Sequence, residues 1–357
     1  PQYNGYKIKE KFGGSATPSF IEKVEKELER VEGAPARKRK VERANLKKEY
    51  IKRVRDEINL ELFRDRELVV VHDAMYGTSA GLLSDSLRDT GVSVVGIRQY
   101  RDALFGGKAP EPTGENLRLL SQKVRAIGAN LGIANDGDGD RVAFVDERGE
   151  PVSPQLAYVL ILLHLVKHRG VRDGVVVKTV STTYLADRIC QEEGLELREV
   201  PVGFKNINEV ILREKVLFGG EESGGYGVPS FLPERDGLMA SLLILEMIML
   251  KDKPLSEIIG EVLRIYGESH YGRIDLPVED RVKERLREMV ENPPTSVGGW
   301  KVRDVITVDG LKLIFEDGAW LLLRASGTEP LVRVYGEAFS DGDLERILRS
   351  GMSLLGV

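Results

Sequence analysis

The sequence predicts an α/β fold: tandem layer domains with mixed sheets, followed by a small α+β domain at the C-terminal end. Three observations carry this. Short apolar runs of strand character alternate with amphipathic helical stretches between residues 46 and 266, as in α/β layer proteins. The alternation occurs twice, over 46–150 and again over 151–266. From residue 267 onward the pattern changes to strands joined by short turns, two of them containing Asp-Gly (Asp309-Gly310 and Asp317-Gly318), which favours antiparallel hairpins. The expected division is therefore 1–45 as the remnant of a first α/β domain with a linker, then 46–150, 151–266 and 267–357.

The elements follow in order. Pro1-Gln2-Tyr3-Asn4-Gly5-Tyr6-Lys7-Ile8 enters directly into a turn and strand-like residues, as the interior of a domain would. Thr17-Pro18-Ser19 caps a helix to about Arg30, with Pro18 suited to its first turn. Residues 46–60 place Leu46, Tyr50, Ile51, Val54 and Ile58 on one helical face. A strand at Leu68–His72, a Gly/Thr/Ser turn, a helix over Ser79–Asp89 and a strand at Val92–Ile97 come next, then a helix over Glu115–Ile127 and strands at Leu131–Ala134 and Val142–Val145. The second unit runs through helix 154–168, strand Gly174–Val180, helix Tyr184–Glu193, strand Glu196–Val200, a short helix over Asn206–Glu214 and strand Val216–Gly219. Helices at Leu238–Leu250 and Leu255–Tyr266 end it. The last region reads as a helix over Arg281–Glu291, strands at Val305–Val308, Leu311–Phe315, Ala319–Leu323 and Val332–Glu337, and a helix from Asp341.

Composition narrows the function. A chain of 357 residues with 41% hydrophobic residues can bury several cores, and its formal charge of −5 argues against a general nucleic-acid binder. The basic cluster Arg37-Lys38-Arg39-Lys40 lies in a highly charged stretch and reads as a solvated face or linker. Cys190 is the single cysteine, which excludes an internal disulfide and fits a reducing cytoplasm; its plain reading is a small buried helix residue. Leu238–Leu250, the longest apolar run, is interrupted by Ser241 and Glu246 and is too short to cross a bilayer, so no membrane partner is expected.

Asn135-Asp136-Gly137-Asp138-Gly139-Asp140-Arg141 carries the most chemistry. Asp136, Asp138 and Asp140 repel one another unless a cation sits among them, and the glycines let the backbone turn all three toward one point. Hard oxygen donors suit Mg²⁺, which usually works beside a phosphate, and the Arg141 guanidinium is a fork for phosphate oxygens. The run differs from an EF-hand, because Arg141 stands where the glycine is needed and the flanks are strand-like rather than helical.

Three other strand-end loops join it. Gly219-Gly220-Glu221-Glu222-Ser223-Gly224-Gly225 offers carboxylates and a hydroxyl to sugar hydroxyls, or is a polar turn. Leu323-Arg324-Ala325-Ser326-Gly327-Thr328-Glu329-Pro330, with Arg333 after it, has the makeup of an anion nest, or is a hairpin with a capping serine. Val202-Gly203-Phe204-Lys205 presents a lysine that could neutralise a phosphate or simply face solvent. A rival signal is Gly77-Thr78-Ser79-Ala80-Gly81, which matches the G-x-S-x-G nucleophile elbow of α/β hydrolases. A helix N-cap at Ser79 explains it equally well, and the elbow reading leaves the other loops unused.

Taken in this order and spacing, the Asp-Gly-Asp-Gly-Asp-Arg, Gly-Glu-Glu-Ser-Gly-Gly and Arg-Ala-Ser-Gly-Thr-Glu-Pro loops resemble those of the α-D-phosphohexomutase family, over essentially the whole chain. Gly219–Gly237, with Pro233-Glu234-Arg235-Asp236-Gly237, looks most like bacterial phosphoglucomutases. The resemblance implies three related α/β domains and a C-terminal α+β domain around one cleft. It also implies an active-site serine in a Thr-Ala-Ser-His-Asn-Pro loop, a motif missing here; because members commonly continue with Pro-x-Tyr-Asn-Gly-x-Lys, the sequence is expected to begin just downstream of that serine.

The implied enzyme is a cytoplasmic isomerase that interconverts hexose 1- and 6-phosphates, most closely of glucose, through a phosphoserine and a hexose 1,6-bisphosphate that also acts as activator. The fragment alone is expected to be inactive, its partners being hexose phosphates and the missing N-terminal segment. Phosphomannomutase or phosphoglucosamine mutase specificity, or a non-catalytic metal-dependent sugar-phosphate binder, are the alternatives. In this reading Asp136, Asp138 and Asp140 hold Mg²⁺, Arg141 steadies the phosphoserine, and Lys205 lies near substrate. Glu221 and Ser223 bind sugar hydroxyls, and Arg324, Ser326, Gly327, Thr328 and Arg333 hold the phosphate that is not being transferred.

Overall fold

A computed structural model describes residues 6–30, 44–64, 66–327 and 329–357; the Arg37–Lys40 cluster and Thr328 lie outside them. The chain packs as two units, Pro1–Pro151 with Asn208–Lys215 and Gly225–Leu255, and Val152–Ile207 with Val216–Gly224 and Ser256–Val357.

In the first unit the valine-rich strand Leu68–Asp73 pairs in parallel with Val92–Ile97 on one side and Leu131–Asn135 on the other. Val142–Val145 then returns antiparallel, Asn135 opposite Val142, which makes the sheet mixed and leaves 136–141 as the loop between two strands. The helix Gly237–Lys251 packs on these last two strands and is buried nearly all round, so its sequence is a continuous apolar run rather than a striped one. Asp236 caps it, its carboxylate accepting from Met239 N at 2.8 Å. The opposite side is covered by Arg118–Ile127, which stops at Gly128 in the left-handed region (φ 62°).

Two expectations in this unit are corrected. The helix over Ser79–Asp89 is only Leu82–Ser86, with Gly81 before it at φ 74°. Ser79 therefore lies upstream of the N-cap and does not cap it. Thr17 does occupy the N-cap of Pro18–Glu29, but its hydroxyl donates to Glu10 at 2.8 Å, and no side chain accepts from the helix.

The second unit holds two sheets. Val175–Thr179 pairs in parallel with Leu197–Val200 and Val216–Gly220, so the 201–203 turn and the 221–224 loop both leave strand C-termini, where open α/β sheets present ligand-binding groups. The helix expected over Asn206–Glu214 is Phe204–Ile211, which puts Lys205 in its first turn. The C-terminal sheet is antiparallel in the order His270–Pro277, Leu331–Ala338, Trp320–Ala325, Leu311–Phe315, Trp300–Ile306, with the helices Asp280–Glu291 and Asp341–Leu355 against it. Both Asp-Gly hairpins form as expected. The strand expected at Val305–Val308 is instead Trp300–Ile306, and His270–Pro277 is a strand that apolar runs did not reveal. Cys190 is buried on the Leu185–Glu193 helix, where burial pushes its thiol up to about 12.

Candidate functional site

The strand pair Leu131–Asn135 and Val142–Val145 holds both ends of the Asp loop, and Gly139 turns it at φ 80°. Asp136, Asp138 and Asp140 each offer a carboxylate oxygen, and these oxygens lie within 4.8 Å of one another. Alternate loop positions thus converge on one point. Asp136 is buried, and burial pushes its carboxyl up to about 6 against the pull of Arg141. Arg141 grips that same carboxylate, with Nε 2.7 Å from Oδ2 and its backbone N–H 3.1 Å from Oδ1.

Neighbouring segments fix this loop. Thr78 N donates to Gly137 O at 3.1 Å, and a Cβ on Gly77 would sit 2.5 Å from that oxygen, so only glycine allows the approach. Asn135 donates to Arg141 O at 3.1 Å and its own oxygen meets His72 Nε2 at 3.0 Å, a buried pairing that sets the orientation of the strand end. Gly237 N donates to Gly139 O at 3.1 Å. Arg235 Nη2 donates to Asp140 Oδ2 at 2.6 Å.

A cationic side chain reaches the same oxygens from far away in sequence. Lys7 Nζ bonds Asp138 Oδ2 and lies 3.4 Å from Asp140 Oδ2. For Asp138, burial raises the carboxyl, but Lys7 outweighs it and the net shift is downward. The Lys7 segment is itself latched: the Glu234 carboxylate accepts from Lys9 Nζ and from Ser15 Oγ at 2.5 Å. An ammonium bridging two of three convergent carboxylates marks a place where a cation is favourable, so the residues present fit a hard divalent ion.

In the second unit, Glu221 is buried and accepts from Gly203 N at 2.9 Å, which joins the Gly-Glu-Glu-Ser loop to the Val-Gly-Phe-Lys loop. Asp309, on a hairpin turn, accepts from Arg324 Nε at 2.6 Å and from Val202 N at 2.9 Å. That carboxylate brings the Arg-Ala-Ser-Gly loop alongside the same lysine loop. Ser326 is buried and its hydroxyl accepts from Glu329 N at 3.2 Å, while Gly327 is exposed. Lys205 is exposed and Ser223 half-buried.

Glu222, Arg273, Asp275 and Arg333 form a charged row. Arg273 clasps Asp275 at 2.6 and 2.7 Å, stands 3.6 Å from Glu222, and Arg333 stands 3.6 Å from Asp275. Burial pushes Glu222 up to about 7 despite Arg273. In the second unit Gly203 and Asp309 thus link the segments that carry Glu221, Lys205 and Arg324, and Arg333 stands opposite Arg324 in the sheet, with Thr328 outside the described residues.

Sequence reasoning missed Lys7, Glu234, Arg235, Asp309 and Arg273 as members of these constellations, and offered Glu222 only as one of two carboxylates in its loop. The hydrolase signal is corrected: Ser79 is buried, its Oγ has no hydrogen-bond partner among the described residues, and its loop instead props the Asp loop. Among the described residues no helix is long and apolar enough to cross a membrane.

Comparison with known proteins accounts for most of the chain. Three family models match: phosphoglucomutase/phosphomannomutase α/β/α domain II over 48–149, α/β/α domain III over 154–266, and the C-terminal domain over 276–350. A phosphoglucomutase/phosphomannomutase from Thermococcus kodakarensis is 32% identical over 99% of the chain and 76% of its own length. A probable phosphoglucosamine mutase from Pyrococcus furiosus is 31% identical over the same shares. A phosphopentomutase from T. kodakarensis is 30% identical over 95% of the chain and 73% of its own length. The structure of a candidate phosphomannomutase from Thermus thermophilus superposes with a TM-score of 0.84 at 31% identity, covering 98% of this chain and 74% of that one.

Proposed function

The chain belongs to the phosphoglucomutase/phosphomannomutase family of isomerases, and from that premise we propose that it interconverts hexose 1-phosphate and hexose 6-phosphate with glucose as the preferred sugar. The observation that carries the reading is the convergence of Asp136, Asp138 and Asp140 within 4.8 Å beside Arg141. A divalent ion held by such a triad would stand beside the Arg141 guanidinium, a fork that suits phosphoryl oxygens.

In this reading Asp136, Asp138 and Asp140 hold Mg²⁺, which supplies neutralisation of charge on phosphoryl oxygens. The chain's own residues do the positioning. Arg141, fixed by Asp136, presents its remaining guanidinium N–H groups to the phosphoryl oxygens. Glu221 and Ser223 accept and donate hydrogen bonds to sugar hydroxyls, and Lys205 offers a charge near the substrate. Arg324, Ser326, Gly327, Thr328 and Arg333 hold the phosphate that stays in place. Phosphoryl transfer needs little covalent help from a protein beyond such positioning and charge compensation.

The family resemblance implies a serine as the phosphoryl carrier, and none of the residues named above is offered for that role. A hexose 1,6-bisphosphate then serves as intermediate and activator, turning over so that either phosphate can return to serine.

The test is a panel assay of the protein expressed from its natural reading frame, with Mg²⁺ and trace bisphosphate. Glucose, mannose and glucosamine 1-phosphates are compared by kcat/KM. The glucose reading expects glucose 1-phosphate to lead by tenfold or more; a lead by mannose or glucosamine phosphate overturns the sugar assignment and leaves the mutase. Binding of these sugar phosphates without any turnover favours the non-catalytic binder.

A further inference from the structure

Lys7 and Arg235 both touch the Asp loop, but in different ways. Arg235 donates to Asp140 from the 233–237 segment. Lys7 is an exposed side chain whose ammonium bridges two of the triad's three carboxylates, Asp138 and Asp140. Like charges do not share the same pair of oxygens. A divalent ion bound by these oxygens and the Lys7 ammonium in its observed contacts exclude each other, by occupancy and by repulsion.

The ammonium is not there by the flexibility of its own stem alone. Residues 8–16 form a short hairpin, with Ala16 N donating to Ile8 O at 3.0 Å and Lys9 bridged to Ser15. Glu234 is 6% exposed and takes both Lys9 Nζ and Ser15 Oγ, so the hairpin is pinned to the residue immediately before Arg235. Burial raises the Glu234 carboxyl, yet Lys9 and Ser15 outweigh it and keep it below the usual range, as for a carboxylate held ionised by its partners. Removing the latch takes away the charged hold on the hairpin and loosens the aim of Lys7.

We infer that Lys7 is a built-in competitor for the metal, an ammonium aimed at the Asp138–Asp140 oxygens by the Glu234 latch, so that ion binding must displace it. The inference rests on the Asp triad being the metal site and adds a residue that sets its affinity. Displacement frees a positive charge beside the loop at the moment the ion enters, and it keeps three carboxylates from repelling one another when the ion leaves.

The experiment is calorimetric titration of Mg²⁺ into this chain, with Mn²⁺ binding followed by electron paramagnetic resonance as a second readout. Lys7→Gln is expected to bind either ion roughly two- to tenfold more tightly, since exposed ion pairs contribute modestly and are screened by salt. That gain is expected to shrink between low and high ionic strength. Glu234→Gln is expected to give a gain of the same sign, and no further gain when Lys7→Gln is already present. A merely structural Glu234 would instead weaken binding in both backgrounds.

Unchanged or weaker binding by Lys7→Gln, with the unaltered chain binding normally, overturns the competitor and leaves the metal site standing. Absence of binding by every variant overturns the metal site and the competitor together. Lys7 is exposed, so its substitution tests the idea even if Glu234→Gln does not fold.

Discussion

Arg235 donates from Nη2 to Asp140 Oδ2 at 2.6 Å, tying the start of the buried Gly237–Lys251 helix to the Asp loop. The contact orients one carboxylate of the proposed metal site from a rigid support, in the manner of an outer-shell partner. Arg235→Gln is therefore expected to weaken Mg²⁺ binding by about 10- to 100-fold. That is the opposite sign to Lys7→Gln, and a calorimetric titration of both variants checks it.

Asp136 must be ionised to bind a cation, and its carboxyl is pushed up to about 6 by burial. Below that pH a proton competes with the metal. Apparent Mg²⁺ affinity is expected to be level above about pH 7 and to fall about tenfold per pH unit below about pH 6, because one proton is displaced per ion. Titrations from pH 5 to 8 read this directly; a level profile down to pH 5 contradicts the role of Asp136.

Lys178 and Lys312, both buried, share Glu199 Oε2 at 3.1 Å. For Lys178 burial is outweighed by Asp187 and Glu199, and the group is raised; for Lys312 burial and the Lys178 charge pull the ammonium down to about 8. An unfolded lysine titrates near 10.4, so between about pH 8 and about pH 10.4 the unfolded chain holds a proton that the folded chain has released. Stability rises with pH wherever the unfolded state binds more protons. Relative to Lys312→Met, the chain is expected to gain on the order of 2 kcal/mol between pH 7.5 and 9.5. Urea midpoints at the two pH values measure it, and parallel profiles contradict it.

Ser79 Oγ is buried with no hydrogen-bond partner among the described residues. Ser79→Ala removes an uncompensated hydroxyl and is expected to be neutral or stabilising by up to about 1 kcal/mol, with mutase activity retained. Gly77→Ala, two residues earlier, drives a Cβ against Gly137 O and is expected to lose metal affinity. Thermal melts and Mg²⁺ titrations separate the two; loss of activity in Ser79→Ala would revive a nucleophilic serine.

The contrast between what was legible and what was not is physical. Leu255–Tyr266 lies where its apolar pattern puts it, because Leu255, Ile258, Val262 and Tyr266 bury one face, and Val92–Ile97 does so because all six of its residues pair with Leu68–Asp73. Trp300–Ile306 was displaced in the reading because its alternation carries Lys301, Arg303 and Asp304 on an exposed face, leaving no apolar run. His270–Pro277 hides for the same reason: Arg273 and Asp275 interleave with Ile274 and Leu276. The helix over 79–89 shrank because 74–81 is spent on the turn that props the Asp loop.

The Asp triad was readable because its three carboxylates fall within five consecutive positions. Lys7 and Arg235 were not, since they stand 131 residues from Asp138 and 95 from Asp140 and nothing local marks them. The role of Pro233–Gly237 showed only as a subtype likeness. In the structure Glu234 latches the 8–16 hairpin, Arg235 holds Asp140, and Asp236 caps the helix behind.

Phosphorus NMR of the protein expressed from its natural reading frame tests the central claim most directly. With glucose 1-phosphate, trace bisphosphate and Mg²⁺, the 1-phosphate resonance is expected to give way to the 6-phosphate resonance, and Asp138→Asn with Asp140→Asn to slow this by about 100-fold or more. No interconversion of glucose, mannose or glucosamine phosphates, or an undiminished rate in the double variant, would contradict the account.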